Sequence, residues 1–146
     1  MFKLRPATEH DSGTIRHLVH LGQINPIGLD WRRFILAEGE TGEVIGCGQI
    51  KPHRDGSHEL ASIVVHPDWR GRGVARAIIE HLLRAHPGEL YLTCRAEMEP
   101  MYQKFGFHTL KLEAMPPYFQ RISRLVSLLL RSQGSRLLVM KRDGDA

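Results

Sequence analysis

The chain has 146 residues, 42% apolar and 25% charged, which suits one domain able to bury its apolar surface without a disulfide or metal staple. No apolar run approaches the roughly 20 residues of a membrane helix; the longest, 125–130, is broken by Ser127 and flanked by Arg124 and Arg131, so no membrane partner is expected. A formal charge of +4, scattered rather than massed on one helix, argues against nucleic acid and suits a polyanionic small ligand.

Residues 2–6 read as a strand and lack the apolar core of a secretory leader, from which a cytoplasmic setting is expected. Asp11 or Ser12 can cap a helix with Ile15, Leu18 and Val19 on one face, closed by Gly22. A loop over residues 23–30, with Pro26 and Gly28, follows. Residues 31–38, 44–53 and 57–66 read as three strands of an antiparallel meander, joined by turns at 39–42 and 54–56.

The next helix carries Val74, Ala75, Ala77, Ile78, Leu82 and Leu83 at spacings of three and four and ends near His86-Pro87-Gly88. Residues 90–93 read as a strand, 99–105 as a short helix and 107–113 as another strand. A helical segment after Met115-Pro116-Pro117 places Phe119, Ile122, Leu125, Val126 and Leu129 on one stripe, Gly134 stops it, and residues 136–141 form a last strand. The crossover from Val65 through the helix to Leu90 implies a parallel pair in an otherwise antiparallel sheet. The expected class is α/β: a mixed, mostly antiparallel sheet of about seven strands with one parallel pair, flanked by helices. No repeat divides the chain, so residues 1–146 read as a single domain. Cys47 and Cys94 lie far apart in strand-like segments and read as reduced packing residues.

Strand, turn and helix meet without interruption between Glu59 and Leu83, where the connecting turn is Arg70-Gly71-Arg72-Gly73-Val74-Ala75-Arg76. Small residues leave the backbone amides at the helix start unhindered, guanidinium groups stand beside them, and the helix dipole favours negative charge there. A phosphate-bearing ligand is the expected guest. The nucleoside triphosphate loop would need Gly-Lys-Ser or Gly-Lys-Thr, and Gly73-Val74-Ala75 does not supply it. The dinucleotide fingerprint needs three glycines after a first strand, whereas this turn follows the fourth.

The spacing of Arg70, Gly73 and Ala75 resembles the acetyl-CoA loop of the GNAT N-acetyltransferases, and Tyr102-Gln103-Lys104-Phe105-Gly106-Phe107 resembles that family's Tyr-x-x-x-Gly-Phe segment. The order of elements is similar to the GNAT fold over nearly the whole chain. The resemblance implies acetyl-CoA as co-substrate, held by Arg70, Gly71, Arg72, Gly73, Val74, Ala75 and Arg76, with backbone amides of Val64 or Val65 serving the pantetheine arm and the thioester oxygen. An amine must lose a proton before it can attack a thioester. Glu59, eleven residues before Arg70, stands where several family members carry a basic glutamate. Its alternative is a solvent-facing strand residue paired with Arg54 or a cross-strand neighbour. Tyr102 resembles the family tyrosine beside the sulfur, a proton donor to the leaving thiolate; its alternative is packing.

Arg95 departs from the pattern, standing where many members have asparagine. The segment from Pro116 lengthens the usual link between the last two strands and reads as a lid over the acceptor, a homodimer surface or core packing. His53 and His58 flank one turn, but no third ligand is evident and no metal is expected. The loop of residues 25–31 would frame the acceptor, with Asp30 able to hold a cationic group and Trp31 to stack on a ring. Three functions follow: N-acetyltransferase for a small-molecule amine, for protein α-amino or lysine groups, or a non-catalytic acyl-CoA sensor.

Overall fold

The computed structural model describes residues 1–131, 134 and 136–145. Strands β1 (Phe2–Pro6), β2 (Phe34–Gly39), β3 (Val44–Pro52), β4 (His58–Val65), β5 (Leu90–Arg95), β6 (Phe107–Thr109) and β7 (Leu137–Arg142) form a seven-stranded sheet in the order β1-β2-β3-β4-β5-β7-β6. The helices are α1 (Ser12–Leu21), α2 (Val74–Ala85), α3 (Glu99–Gln103) and α4 (Pro117–Arg131). As the crossover through α2 required, β4 and β5 pair in parallel, with Glu59 opposite Tyr91. The pairs β1–β2, β2–β3, β5–β7 and β6–β7 are antiparallel. The fold class is the mixed α/β one expected. The chain divides into two compact units, Met1–Lys51 with Leu60–His86, and Pro52–Glu59 with Pro87–Ala146.

In the first unit, Ile15, Leu18 and Val19 of α1 are buried with Phe34, Leu36, Cys47 and Val64 in one cluster, as the helical spacing demands. The entry to α1 is fixed by Asp11, a buried carboxylate that accepts from Arg5 Nη1 and Nη2 at 2.9 and 3.1 Å and from the Thr8 amide at 2.7 Å. Arg5 also donates through Nε to Glu38 Oε2 at 2.5 Å, so one guanidinium joins β1, β2 and the start of α1. Helix α2 turns Val74, Ile78, Ile79, Leu82 and Leu83 inward. It lies so close to β3 that a Cβ on Gly46 would stand 3.0 Å from Val74 Cγ1, and one on Gly48 2.7 Å from Ile78 Cγ2 and 2.6 Å from Ile63 Cδ1. These two glycines set how near the helix sits.

One expected strand start in this unit is corrected. Residues Trp31–Arg33 form a 3-10 turn, and β2 begins at Phe34. Asp30 explains it, since its Oδ1 accepts from the Arg32 amide at 3.0 Å and turns the chain before the ladder starts.

The second unit has its own core of Met115, Phe119 and Val139, with Tyr91, Leu110 and Tyr118 packed against it. Strand β6 is shorter than the expected 107–113. It pairs with β7 from Phe107 opposite Arg142 to Thr109 opposite Met140, after which Leu112–Ala114 form a 3-10 turn closed by Ala114 N donating to Lys111 O. The apolar stripe of α4 also covers less than its spacing implied. Phe119 is wholly buried and Ile122 and Val126 are half-buried, but Leu125, Leu128 and Leu129 are 63%, 69% and 69% exposed.

Candidate functional site

Strand β4 runs into a 3-10 turn, Pro67–Trp69, whose entry is set by His66: its Nδ1 accepts from the Asp68 amide at 3.1 Å. Arg70 is extended, and Gly71 and Gly73 have φ of 76° and 82°. A Cβ on either would meet no atom within 4 Å. It is the left-handed backbone, not crowding, that calls for glycine there. Gly73 is the N-cap of α2 and offers no side chain to cap it; its carbonyl accepts the first helical bond from Ala77 N at 3.1 Å. The opening amides of α2 are therefore left to a ligand or water, at the positive end of the helix dipole.

Arg70 and Arg72 are exposed beside those amides, and the Arg72 guanidinium lies 5.0 Å from the centre of the Trp69 ring. Arg76 is engaged elsewhere, its Nε donating to Glu80 Oε1 at 2.8 Å. Val74 is buried and Ala75 half-buried, so both offer backbone rather than side chain. This loop fits a phosphate group.

Just upstream, β4 contains Ser62, a non-glycine residue at φ 58°. Such a backbone costs about 1–2 kcal/mol per residue and persists where surrounding structure holds it. Gln49 of β3 supplies that hold: wholly buried, it donates through Nε2 to Ser62 Oγ at 2.9 Å and to the Gly28 carbonyl at 3.3 Å. Cys47 Sγ donates to the Ser62 carbonyl at 3.4 Å. The distorted residue stands two before Val64, whose side chain is buried, and three before half-buried Val65. Serine inside a strand carries no turn signature, so Ser62 was not legible. Gln49, the polar residue in the otherwise apolar run 44–50, was the available signal. The same loop is pinned again by Lys51 Nζ donating to the Ile27 carbonyl at 2.9 Å.

Glu59 is not the solvent-facing alternative weighed for it, being only 7% exposed. Nor does it pair with Arg54. Its Oε1 lies 2.8 Å from His53 Nε2, across the turn that separates β3 from β4. The His53 ring stacks on Tyr118 with centroids 3.6 Å apart and meets Phe119 edge-on at 5.6 Å. Asp55 ties the turn to the start of α4, accepting from Tyr118 N at 3.0 Å and from Ser57 N at 2.9 Å. Burial, and then the Glu59 carboxylate, pushes the Tyr118 phenol up. His53, read from sequence beside His58 as a weak metal candidate, is thus the carboxylate's partner. Among the described residues, no group of three or more His, Cys, Asp or Glu is placed to hold a metal.

Tyr102, on α3, meets Phe107 edge-on at 6.1 Å. Burial, with a smaller contribution from Cys94, pushes its phenol up to about 12, so it holds its proton at neutral pH. Both cysteines are free. Burial takes Cys47 up to about 12, while burial and then Glu99 and Glu97 take Cys94 up to about 11. Neither thiol is a ready nucleophile. Arg95 is exposed at the end of β5. Of the predicted residues, Val64, Val65 and the 70–76 loop belong to the first unit, and Glu59 and Tyr102 to the second.

A family model described as "Acetyltransferase (GNAT) domain" matches residues 30–109. The mouse Cysteine-rich protein 2-binding protein is 36% identical over 53 residues, covering 34% of this chain and 7% of that protein. N-acetylglutamate synthase from Neisseria gonorrhoeae, solved with coenzyme A and N-acetyl-glutamate, is similar with a TM-score of 0.75 at 17% identity, over 100% of this chain and 36% of that one. A Mycobacterium tuberculosis protein in complex with CoA and NLQ gives 0.73 at 20% identity, over 97% and 98% of the two chains. The ribosomal-protein-S18-alanine N-acetyltransferase from Escherichia coli gives 0.67 at 16%, over 100% and 96%. The chain thus spans 7% of the mouse relative and 36% of the gonococcal enzyme, but nearly all of the two smaller structures.

Proposed function

Because the chain belongs to the GNAT acetyltransferase domain family, we propose that residues 1–146 act as one acetyl-CoA-dependent N-acetyltransferase domain in the cytoplasm, on the primary amine of a small molecule, by direct attack. The observation that carries this reading is the loop that opens α2, where two left-handed glycines and an uncapped helix start stand beside exposed Arg70 and Arg72. Acetyl-CoA supplies the activated acetyl thioester and, at its far end, phosphates that such a loop suits.

The chain's own residues then divide the work. Amides of residues 71–76, with Arg70 and Arg72, bind phosphate; Arg76 contributes backbone, its guanidinium being held by Glu80. The Val64 and Val65 amides, beyond the distortion at Ser62, bind the pantetheine arm and polarise the thioester carbonyl. Glu59 takes the proton of the incoming amine. Tyr102, whose phenol burial keeps protonated, gives a proton to the leaving thiolate. High thiol pKa values at Cys47 and Cys94 support direct attack over an acetylated cysteine.

The test is thiol release from acetyl-CoA against a panel of amines, polyamines, amino acids and peptides. Turnover with a small amine, lowered about 100-fold or more by Glu59→Gln and about tenfold or more by Tyr102→Phe, is expected. Turnover with peptides alone would move the chain to the protein transferases, and tight acetyl-CoA binding without thiol release would make it a sensor.

A further inference from the structure

We propose that His53 is a positioning residue for the base: it occupies Oε1 of Glu59, so that Oε2 alone faces the incoming amine. The inference rests on Glu59 being the base. Its ground is the 2.8 Å contact between His53 Nε2 and Glu59 Oε1, made by two side chains that are only 8% and 10% exposed. Glutamate has three rotatable bonds, and a buried carboxylate with one oxygen bonded loses most of that freedom. With Nε2 as the donor, His53 carries a proton on Nε2 and fixes the carboxylate through Oε1.

The imidazole is in turn held by two rings. Tyr118 of α4 stacks on it at 3.6 Å, and Phe119 closes its edge at 5.6 Å. Asp55, in the turn between His53 and Glu59, accepts from Tyr118 N at 3.0 Å and from Ser57 Oγ at 2.5 Å, so the turn is tied to the start of α4. Glu59 and Tyr118 are titratable groups in direct contact with His53, and Asp55 stands in the same turn. The start of α4 thereby acquires a role: it clamps the ring that clamps the base. In the reaction, a proton leaves the ammonium of the acceptor for Glu59 Oε2, the amine nitrogen gains a lone pair, and the His53–Oε1 bond persists throughout.

Three variants of the full chain separate the possibilities: Glu59→Gln, His53→Phe, which keeps the stack on Tyr118 and removes the donor, and His53→Gln, whose amide nitrogen reaches the place of Nε2. Thiol release is measured with acetyl-CoA and the panel amine of highest turnover. Imidazole nitrogens are followed by 15N NMR on histidine-labelled protein. His53→Phe should lower kcat about 10- to 100-fold, as outer partners of reacting groups typically do, with the KM for acetyl-CoA unchanged. His53→Gln should recover to within about fivefold of the wild type. The NMR spectrum should show His53 protonated at Nε2, a preference lost in Glu59→Gln. Wild-type kcat in His53→Phe beside collapse in Glu59→Gln would overturn this inference and leave the base standing. Full turnover in Glu59→Gln would remove the base and, with it, the role of His53. Were His53→Phe to fail to fold, a His53→Gln as slow as Glu59→Gln, or a His53 protonated at Nδ1 alone, would overturn the inference equally.

Discussion

Asp11 is the residue on which the entry to α1 hangs, and its ionisation links that junction to pH. The hydrogen bond from Arg5, followed by those from Thr8, outweighs burial and brings its pKa from 3.8 down to about 2. A carboxylate whose folded pKa is depressed stabilises the fold above its unfolded pKa and loses that contribution as pH falls through the folded value. Acid titration of thermal or urea stability should therefore show about 1–2 kcal/mol lost between roughly pH 4 and pH 2, and Asp11→Asn should remove that component. An unchanged acid profile in the variant would put the linked group elsewhere. Residue by residue, what could be foreseen follows a pattern. Glu59 could be singled out because its separation from Arg70 along the chain matches one that several family members show. His53 was not recognised as its partner, because which side chain at the end of β3 meets it depends on the turn at 54–56 and its register. Ser62 was out of reach, because a left-handed serine is imposed by its surroundings, here Gln49 and Cys47, rather than by its own preference.

At the scale of elements, period carries most of what was legible. Helix α2 was placed to its ends because Pro87 and Gly88 stop it and its apolar positions fall on one face. Where period and local capping disagree, capping wins, as Asp30 does in converting Trp31–Arg33 to a turn. Period also says nothing about how far a core extends, so the apolar stripe of α4 predicted burial that Phe119 has and Leu125 lacks. The approach of α2 to β3 was equally hidden, because Gly46 and Gly48 resemble loosened strand positions until a helix is laid over them. Gly48→Ala should cost about 1–3 kcal/mol by overpacking against Ile63 and Ile78. Chemical denaturation measures it, and a loss below about 0.5 kcal/mol would mean the two isoleucines yield freely. Because the proposed phosphate loop opens α2, the same variant should also weaken acetyl-CoA binding more than it changes turnover.

For the whole molecule, charge is the property that no single element reveals. A formal net charge of +4 and a pI near 9.4 leave a surplus of cations, and two of them, Arg70 and Arg72, stand exposed at the start of α2. A polyanionic co-substrate bound there gains from the loop's amides at short range and from the general field at longer range. The second contribution is screened by salt and the first much less so. Ligand that binds only the folded chain at about 100 times its Kd adds about 2.7 kcal/mol, which for a chain of this size raises the melting temperature by about 5–10 °C. Acetyl-CoA should produce that shift at low ionic strength and a smaller one as salt is raised at constant ligand. The double variant Arg70→Ala, Arg72→Ala should lose most of the shift and most of its salt dependence while melting close to the wild type without ligand, since neither guanidinium is buried. A shift of undiminished size in that variant would place the phosphates elsewhere on the chain, and a shift indifferent to salt would assign recognition to the loop amides alone.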